Sequence, residues 1–237
     1  MSKDIADALT ARLLFEPDLA HIQGTTALKP LSVKRFAQIA AAFEAGQFYN
    51  RHLYNCPQFD SWLDHLVFAS KKAETLGEGL FLEFGVASGV TITTIANAVR
   101  RPVAGFDSFK GLPENWREGV QIGAFATPVP QVPANVRLWI GMIEEQLPLF
   151  LQQNPGEIRF IHIDTDLYSV AKYILKACRE RMNDTVVVFD EFFNYAGYID
   201  HEFKAWAEFQ SENNQIFDFK YLGLGGEVAV SAQVTRK

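Results

Sequence analysis

The sequence is poor in cysteine, in basic charge and in long apolar runs, and each shortage removes a class of protein. Cys56 and Cys178 are its two cysteines, far apart and in no CxxC or metal-spaced set, so neither a disulfide scaffold nor a zinc module is encoded. Lysine and arginine total 22 against 28 acids, for a net charge of −6 and a pI near 5.4. Such a surface repels phosphate backbones. The densest basic spots, Lys71-Lys72, Arg100-Arg101 and Lys172 to Arg181, make no patch that would reverse this, so no nucleic-acid partner is expected. No stretch of eighteen apolar residues occurs, and Asp4 and Asp7 interrupt the N-terminal stretch where an export signal needs an apolar core. The expectation is a protein of the reducing cytoplasm, with no membrane partner.

What is present is a large core: 237 residues, 48% of them hydrophobic, enough for one α/β domain and an appendage. Residues 1–78 show helical spacing without strand-like runs. Phe36, Ile39, Ala40 and Phe43 recur at three and four, as do Trp62, Leu63, Leu66 and Val67, and the segment reads as an N-terminal helical cap. From residue 79 to 237 the rhythm changes to short apolar runs, "GLFLEFG", "PVAGFD", "NVRLWIG", "IRFIHID" and "TVVVFDE", with helical segments near 89–99, 143–153, 169–182 and 198–213. Continuous apolar runs of this length fit parallel strands covered on both faces. The closing "IFDFKYLGLGGEVAVSAQV" reads as a hairpin. The expected fold is therefore α/β, a doubly wound, mostly parallel sheet with a C-terminal antiparallel hairpin.

Ligands of such sheets bind at the carboxyl ends of the strands. There "LEFGVASGV" places Gly85 and Gly89 around a tight turn before a helix, but Ala87 and Ile92 stand where a dinucleotide fingerprint needs its second and third glycines. Close approach of a pyrophosphate is disfavoured, while S-adenosylmethionine, with a carboxylate and a sulfonium, asks less of the turn. Asp107 ends the second strand 18 residues after Gly89, near the spacing at which an acid grips a ribose, although a solvated turn-forming acid would read the same. Residues 108–135 are rich in glycine and proline and have no clear period. A loop this long, leaving a strand end, reads as a lid.

The strongest signal is acidic. "FIHIDTDLYS" puts Asp164 and Asp166 at the end of one core strand, and "VVVFDE" puts Asp190 and Glu191 at the end of the next. Carboxylates on neighbouring strands, roughly 5 Å apart, repel by about 3 kcal/mol at an effective dielectric of about 20. Either some are protonated or a cation is bound, and all-oxygen ligation favours Mg²⁺. Asp166 or Ser169 could instead cap the helix beginning near 169. His162, which strand alternation points the same way as Asp164, reads as a buried, hydrogen-bonded histidine rather than a ligand.

"LEFGVASG", "GFDSFKGLPENW", "FIHIDTDLYS" and "VVVFDEFFNY", in that order, resemble the macrocin O-methyltransferase (TylF-type) family of class I S-adenosylmethionine-dependent methyltransferases, over about residues 80 to 210. The resemblance implies a seven-stranded Rossmann-like sheet. It implies cofactor contacts from Glu83, Gly85, Ala87, Ser88, Gly89, Asp107, Ser108 and Asp164. It implies Mg²⁺ ligation by Asp164, Asp190 and Glu191, with Asp166 as general base. The partner would be a small-molecule hydroxyl acceptor, such as a sugar of a glycosylated natural product, and a homodimer through the cap is a further expectation. The chain departs from the family pattern at Ala87 and Ser88, at Gln146 in place of a threonine, and at Asp190-Glu191 in place of an Asp-Asp pair. Other classes compatible with the residues are a metal enzyme of other chemistry, such as a hydroxylase, and a non-catalytic adenosine-ligand binder. A nicotinamide oxidoreductase fits less well, because the acids would repel a pyrophosphate.

Overall fold

The computed structural model describes residues 32–237. The expectations for the N-terminal stretch, including the first part of the cap, concern residues outside that range. The chain enters as helix α1 (Val33–Phe48), extended by a π-helical turn (Tyr49–Leu53), then a two-residue strand β1 (Gln58–Phe59) and helix α2 (Trp62–Thr75). Strands and helices then alternate through β2 (Leu80–Phe84), α3 (Val90–Ala98), β3 (Val103–Asp107), β4 (Val136–Ile140), α4 (Ile143–Gln153), β5 (Ile158–Ile163), α5 (Tyr168–Cys178) and β6 (Met182–Phe189). Helix α6 (Glu202–Asn213) precedes the final strands β7 (Phe217–Gly225) and β8 (Ala229–Arg236).

The sheet runs β1-β7-β8-β6-β5-β2-β3-β4. β8 is antiparallel to both β6 and β7, and the remaining pairs are parallel. This is the expected doubly wound sheet ending in a reversed hairpin, with one strand more than seven. The addition is β1, which pairs Gln58 with Leu224 at the outer edge. A strand of two residues has no periodicity from which to be read.

Both faces are covered. Leu66, Ala69 and Ala73 of α2 and Ile92 and Ile95 of α3 pack with Phe81, Phe160, Val186 and Val188. On the other face Leu147, Phe150, Ile174, Trp206 and Phe209 from α4, α5 and α6 pack with Leu82, Phe84, Ile161, Ile163 and Phe189. Helix α2, part of the cap by sequence, thus lies directly on the sheet. His65 fits there against Gly223 and Gly225; a Cβ at Gly225 would come within 2.4 Å of the His65 side chain.

Helix α1 differs from its sequence pattern. Its buried positions are Ala41 and Ala45, whereas Phe36 and Phe43 are 50% and 69% exposed. Polar ties set this orientation. The Gln38 side-chain amide donates to the Asn194 carbonyl (2.9 Å) and accepts from the Ala196 N–H (3.2 Å), Tyr198 Oη donates to Glu44 (3.2 Å), and Lys34 pairs with Glu118 of the 108–135 loop. No helix among the described residues is long and apolar enough to cross a membrane.

Candidate active site

The carboxyl ends of β2, β3, β5 and β6 converge on a cavity of about 310 Å³, lined among others by Gly85, Ala87, Asp107, Ser108, Met142, Asp164, Asp166, Asp190 and Glu191. Its floor is set by one glycine. Gly85 has φ +88°, and a Cβ there would fall 1.8 Å from the Asp164 carbonyl oxygen, so the turn after β2 can lie against the end of β5 only without a side chain. Ala87 follows at φ +43° and Gly89, at φ +83°, precedes α3.

Asp107 organises this turn from β3. Its Oδ2 accepts the N–H groups of Val86 (2.8 Å) and Ala87 (2.7 Å), and its Oδ1 accepts the N–H of Phe109 (2.7 Å). A carboxylate offers about four lone-pair sites. One therefore remains for a ligand hydroxyl after three backbone amides are held. Of the residues assigned to the cofactor by resemblance, Gly85, Ala87, Asp107, Ser108 and Asp164 line the cavity, and Glu83, Ser88 and Gly89 do not. Glu83 is fully buried in β2, where it accepts a hydrogen bond from Thr91 Oγ1. Burial pushes its carboxyl up, against the opposing pull of His162 and Thr91.

The four acids divide. His162, Asp164 and Asp190 each offer one donor atom within 4.8 Å of the others, a geometry able to hold a metal ion. Glu191 stands apart, because Arg117 from the 108–135 loop takes it at 3.3 Å. The Arg117 guanidinium also lies 3.9 Å over the Trp116 ring and 5.0 Å from that of Tyr195. Asp164 is raised well above the ordinary aspartate range by desolvation and by Asp190. Desolvation alone would lower His162, but the carboxylates of Asp190, Glu83 and Asp164 outweigh it and raise its pKa well above the usual histidine value.

Asp166 adopts φ +63°, an uncommon conformation for a residue with a side chain. Burial, then the charge of Glu191, push its carboxyl up to about 7, with Arg117 opposing. The strained turn has a support that sequence reading missed: Glu202, 1% exposed at the start of α6, accepts the N–H groups of both Thr165 and Asp166 at 3.2 Å through Oε1. Its carboxyl is raised well above the ordinary range by burial and by Asp166 and Asp164. Neither Asp166 nor Ser169 caps α5: no side chain caps that helix, and Ser169 Oγ donates instead to Glu114 of the loop (2.7 Å).

The 108–135 loop is a folded cover. The Leu112 N–H donates to the Ala124 carbonyl (2.9 Å) and the Gly123 N–H to the Leu112 carbonyl (2.8 Å), Asn115 Oδ1 accepts the Ile122 N–H (2.9 Å), and Trp116 is buried against Tyr195 and His201. Through Ser169, Glu191 and Lys34 it is fastened to α5, to the end of β6 and to α1.

Residues 82–192, from β2 to the acids after β6, match a protein-family model described as a methyltransferase domain. No curated protein matches the chain significantly. Among solved structures, the O-methyltransferase NovP is similar at 18% identity over 73% of this chain and 79% of its own, with a TM-score of 0.56. CalS11, described as a calicheamicin methyltransferase, is similar at 18% identity over 91% of this chain and 98% of its own, TM-score 0.55. An O-methyltransferase from Bacillus cereus, solved with S-adenosylhomocysteine, is similar at 13% identity over 98% of this chain and 97% of its own, TM-score 0.50. The chain thus matches a methyltransferase domain over residues 82–192 and folds as class I methyltransferases do.

Proposed function

We propose that the protein transfers a methyl group from S-adenosylmethionine to a hydroxyl of a small molecule, with a divalent cation such as Mg²⁺ at Asp164 and Asp190. The observation that carries this reading is the layout of one cavity. A glycine turn and a partly free Asp107 lie on one side, and an acid group with unsatisfied, raised-pKa members lies on the other. The similar proteins point to the class of acceptor: one structure of CalS11 is described as that of a TDP-rhamnose 3'-O-methyltransferase, so a sugar hydroxyl is the acceptor class to test first.

In this reading the turn from Gly85 to Ala87 receives the methionine end of the cofactor, and Asp107 takes a ribose hydroxyl on its remaining lone pair. The donor set fits a divalent cation, since Asp164 and Asp190 each bring one carboxylate oxygen within 4.8 Å of the other. A cation bound there would lower the pKa of an acceptor hydroxyl and fix its direction. Asp166 takes the proton. With its pKa near 7 it is substantially ionised at neutral pH yet still basic enough to accept. Glu202 holds the Asp166 backbone, and Leu112, Pro113 and Phe125 of the folded loop line the cavity.

Calorimetry with S-adenosylhomocysteine, with and without Mg²⁺, tests the proposal. Saturable nucleoside binding, together with cation binding that Asp164→Ala removes, supports it. Absence of nucleoside binding under both conditions removes it.

A further inference from the structure

Both ring nitrogens of His162 lack a hydrogen-bond partner, although the side chain is only 1% exposed. Idle polar atoms at that depth are costly and call for an explanation. The strand register shows what surrounds them. Glu83 lies beside His162 across the β2–β5 pair, and strand alternation turns His162 to the same face as Asp164, two residues on. Nδ1 stands 3.8 Å from Glu83 Oε1, and Nε2 stands 3.8 Å from Asp190 Oδ1. Both distances exceed a hydrogen bond. They leave room for something between the second nitrogen and the acids.

Donors around an octahedral ion at about 2.1 Å lie roughly 3 to 4 Å apart. His162, Asp164 and Asp190 already hold one donor each within 4.8 Å of the others, so a small movement of the carboxylates closes the set. On the opposite side of the ring, Glu83 is positioned as the carboxylate that orients a metal-binding imidazole through its other nitrogen. Thr91 Oγ1 in turn donates to Glu83 and steadies it. Glu191 is held outside the group by Arg117.

We infer that the cation of the proposed methyl-transfer site is bound through His162 Nε2 together with Asp164 and Asp190, with Glu83 orienting the imidazole and Glu191 serving the loop. This rests on the reading under Proposed function and changes its ligand set from all-oxygen to mixed nitrogen and oxygen. Imidazole suits transition ions better than Mg²⁺. The site therefore takes Mn²⁺ more tightly than Mg²⁺.

The test is Mn²⁺ titrated into metal-free protein carrying ¹⁵N-labelled histidine, with pulsed electron paramagnetic resonance on the bound ion. The expected result is histidine-nitrogen coupling in the wild type that disappears in His162→Asn, and Mn²⁺ affinity about 10- to 100-fold weaker in Glu83→Gln. The wild-type spectrum decides even where a variant folds poorly. Bound Mn²⁺ without histidine coupling, or no saturable Mn²⁺ binding, overturns the inference. S-adenosylhomocysteine binding, followed on the same samples, separates the two claims. Nucleoside binding beside a nitrogen-free ion removes only the ligand set, whereas loss of nucleoside binding removes the methyltransferase reading itself.

Discussion

Two sides of the cavity carry acids and use them in opposite ways. At the end of β3, Asp107 holds three backbone N–H groups within 2.8 Å, and its charge builds the turn on which the cavity rests. At the ends of β5 and β6, Asp164 and Asp190 face each other beside an imidazole with no hydrogen-bond partner, and Asp166 sits at φ +63° with a raised pKa. An acid that folds the protein is satisfied by the protein. In the proposed reading, an acid that waits for a ligand is left without backbone partners, at a cost that binding recovers.

The largest break in this comparison comes from Asp166. Asp166→Asn should lower methyl transfer by about 10²- to 10⁴-fold, the range of a lost general base, while leaving S-adenosylhomocysteine affinity unchanged. An unimpaired rate in a steady-state assay would remove Asp166 as the base.

A second contrast is between the two ways of altering Glu202. Glu202→Ala removes the acceptor for the Thr165 and Asp166 N–H groups and should reduce kcat about tenfold or more with little change in cofactor affinity. Glu202→Gln keeps an amide oxygen at that place and should restore most of the rate. Equal loss in both variants would mean that the Glu202 charge, and not its hydrogen bonds, matters.

The pH dependence of stability sharpens the comparison with a smaller effect. Asp166 is moved from 3.8 to about 7 in the folded chain, and Asp164 and Glu202 are shifted in the same direction. Between about pH 4 and 7 the native state thus binds more protons than the unfolded chain, and stability falls as pH rises. The raised His162 adds to this, because its contribution is complete below its unfolded pKa and is lost as pH climbs through the folded value. Metal-free protein should show a falling Tm from about pH 5 to about pH 8, and a divalent cation should raise Tm more at the upper pH, where it no longer competes with protons. A cation effect of equal size at both ends would contradict the shared acid site.

How far the sequence discloses this site follows from the range of each interaction. The ends of β2, β3, β5 and β6, the glycine turn and the four acids are local signals: an apolar run, then a turn residue, then a charge. Pairings across the chain are different. Arg117 and Glu191 are 74 residues apart in sequence, and nothing near either residue announces the other. Glu202 follows Asp166 by 36 residues and reads as one more polar residue at a helix start, so its burial is visible only once α6 is packed. The α1 pattern misleads for a related reason, since polar ties through Gln38, Glu44 and Lys34 turn its alanines inward and leave Phe36 and Phe43 outside.

The division between building acids and ligand acids is tested most directly by one pair of unfolding curves, recorded without added cation. Asp107→Asn keeps the side-chain shape but weakens three charge-assisted bonds, and it should destabilise the protein by about 2 kcal/mol or more. Asp164→Asn relieves repulsion from Asp190 and removes no backbone bond, and it should leave stability unchanged or raise it by up to about 1 kcal/mol. Destabilisation by both to the same degree would contradict the account, because Asp164 would then be a structural acid like Asp107.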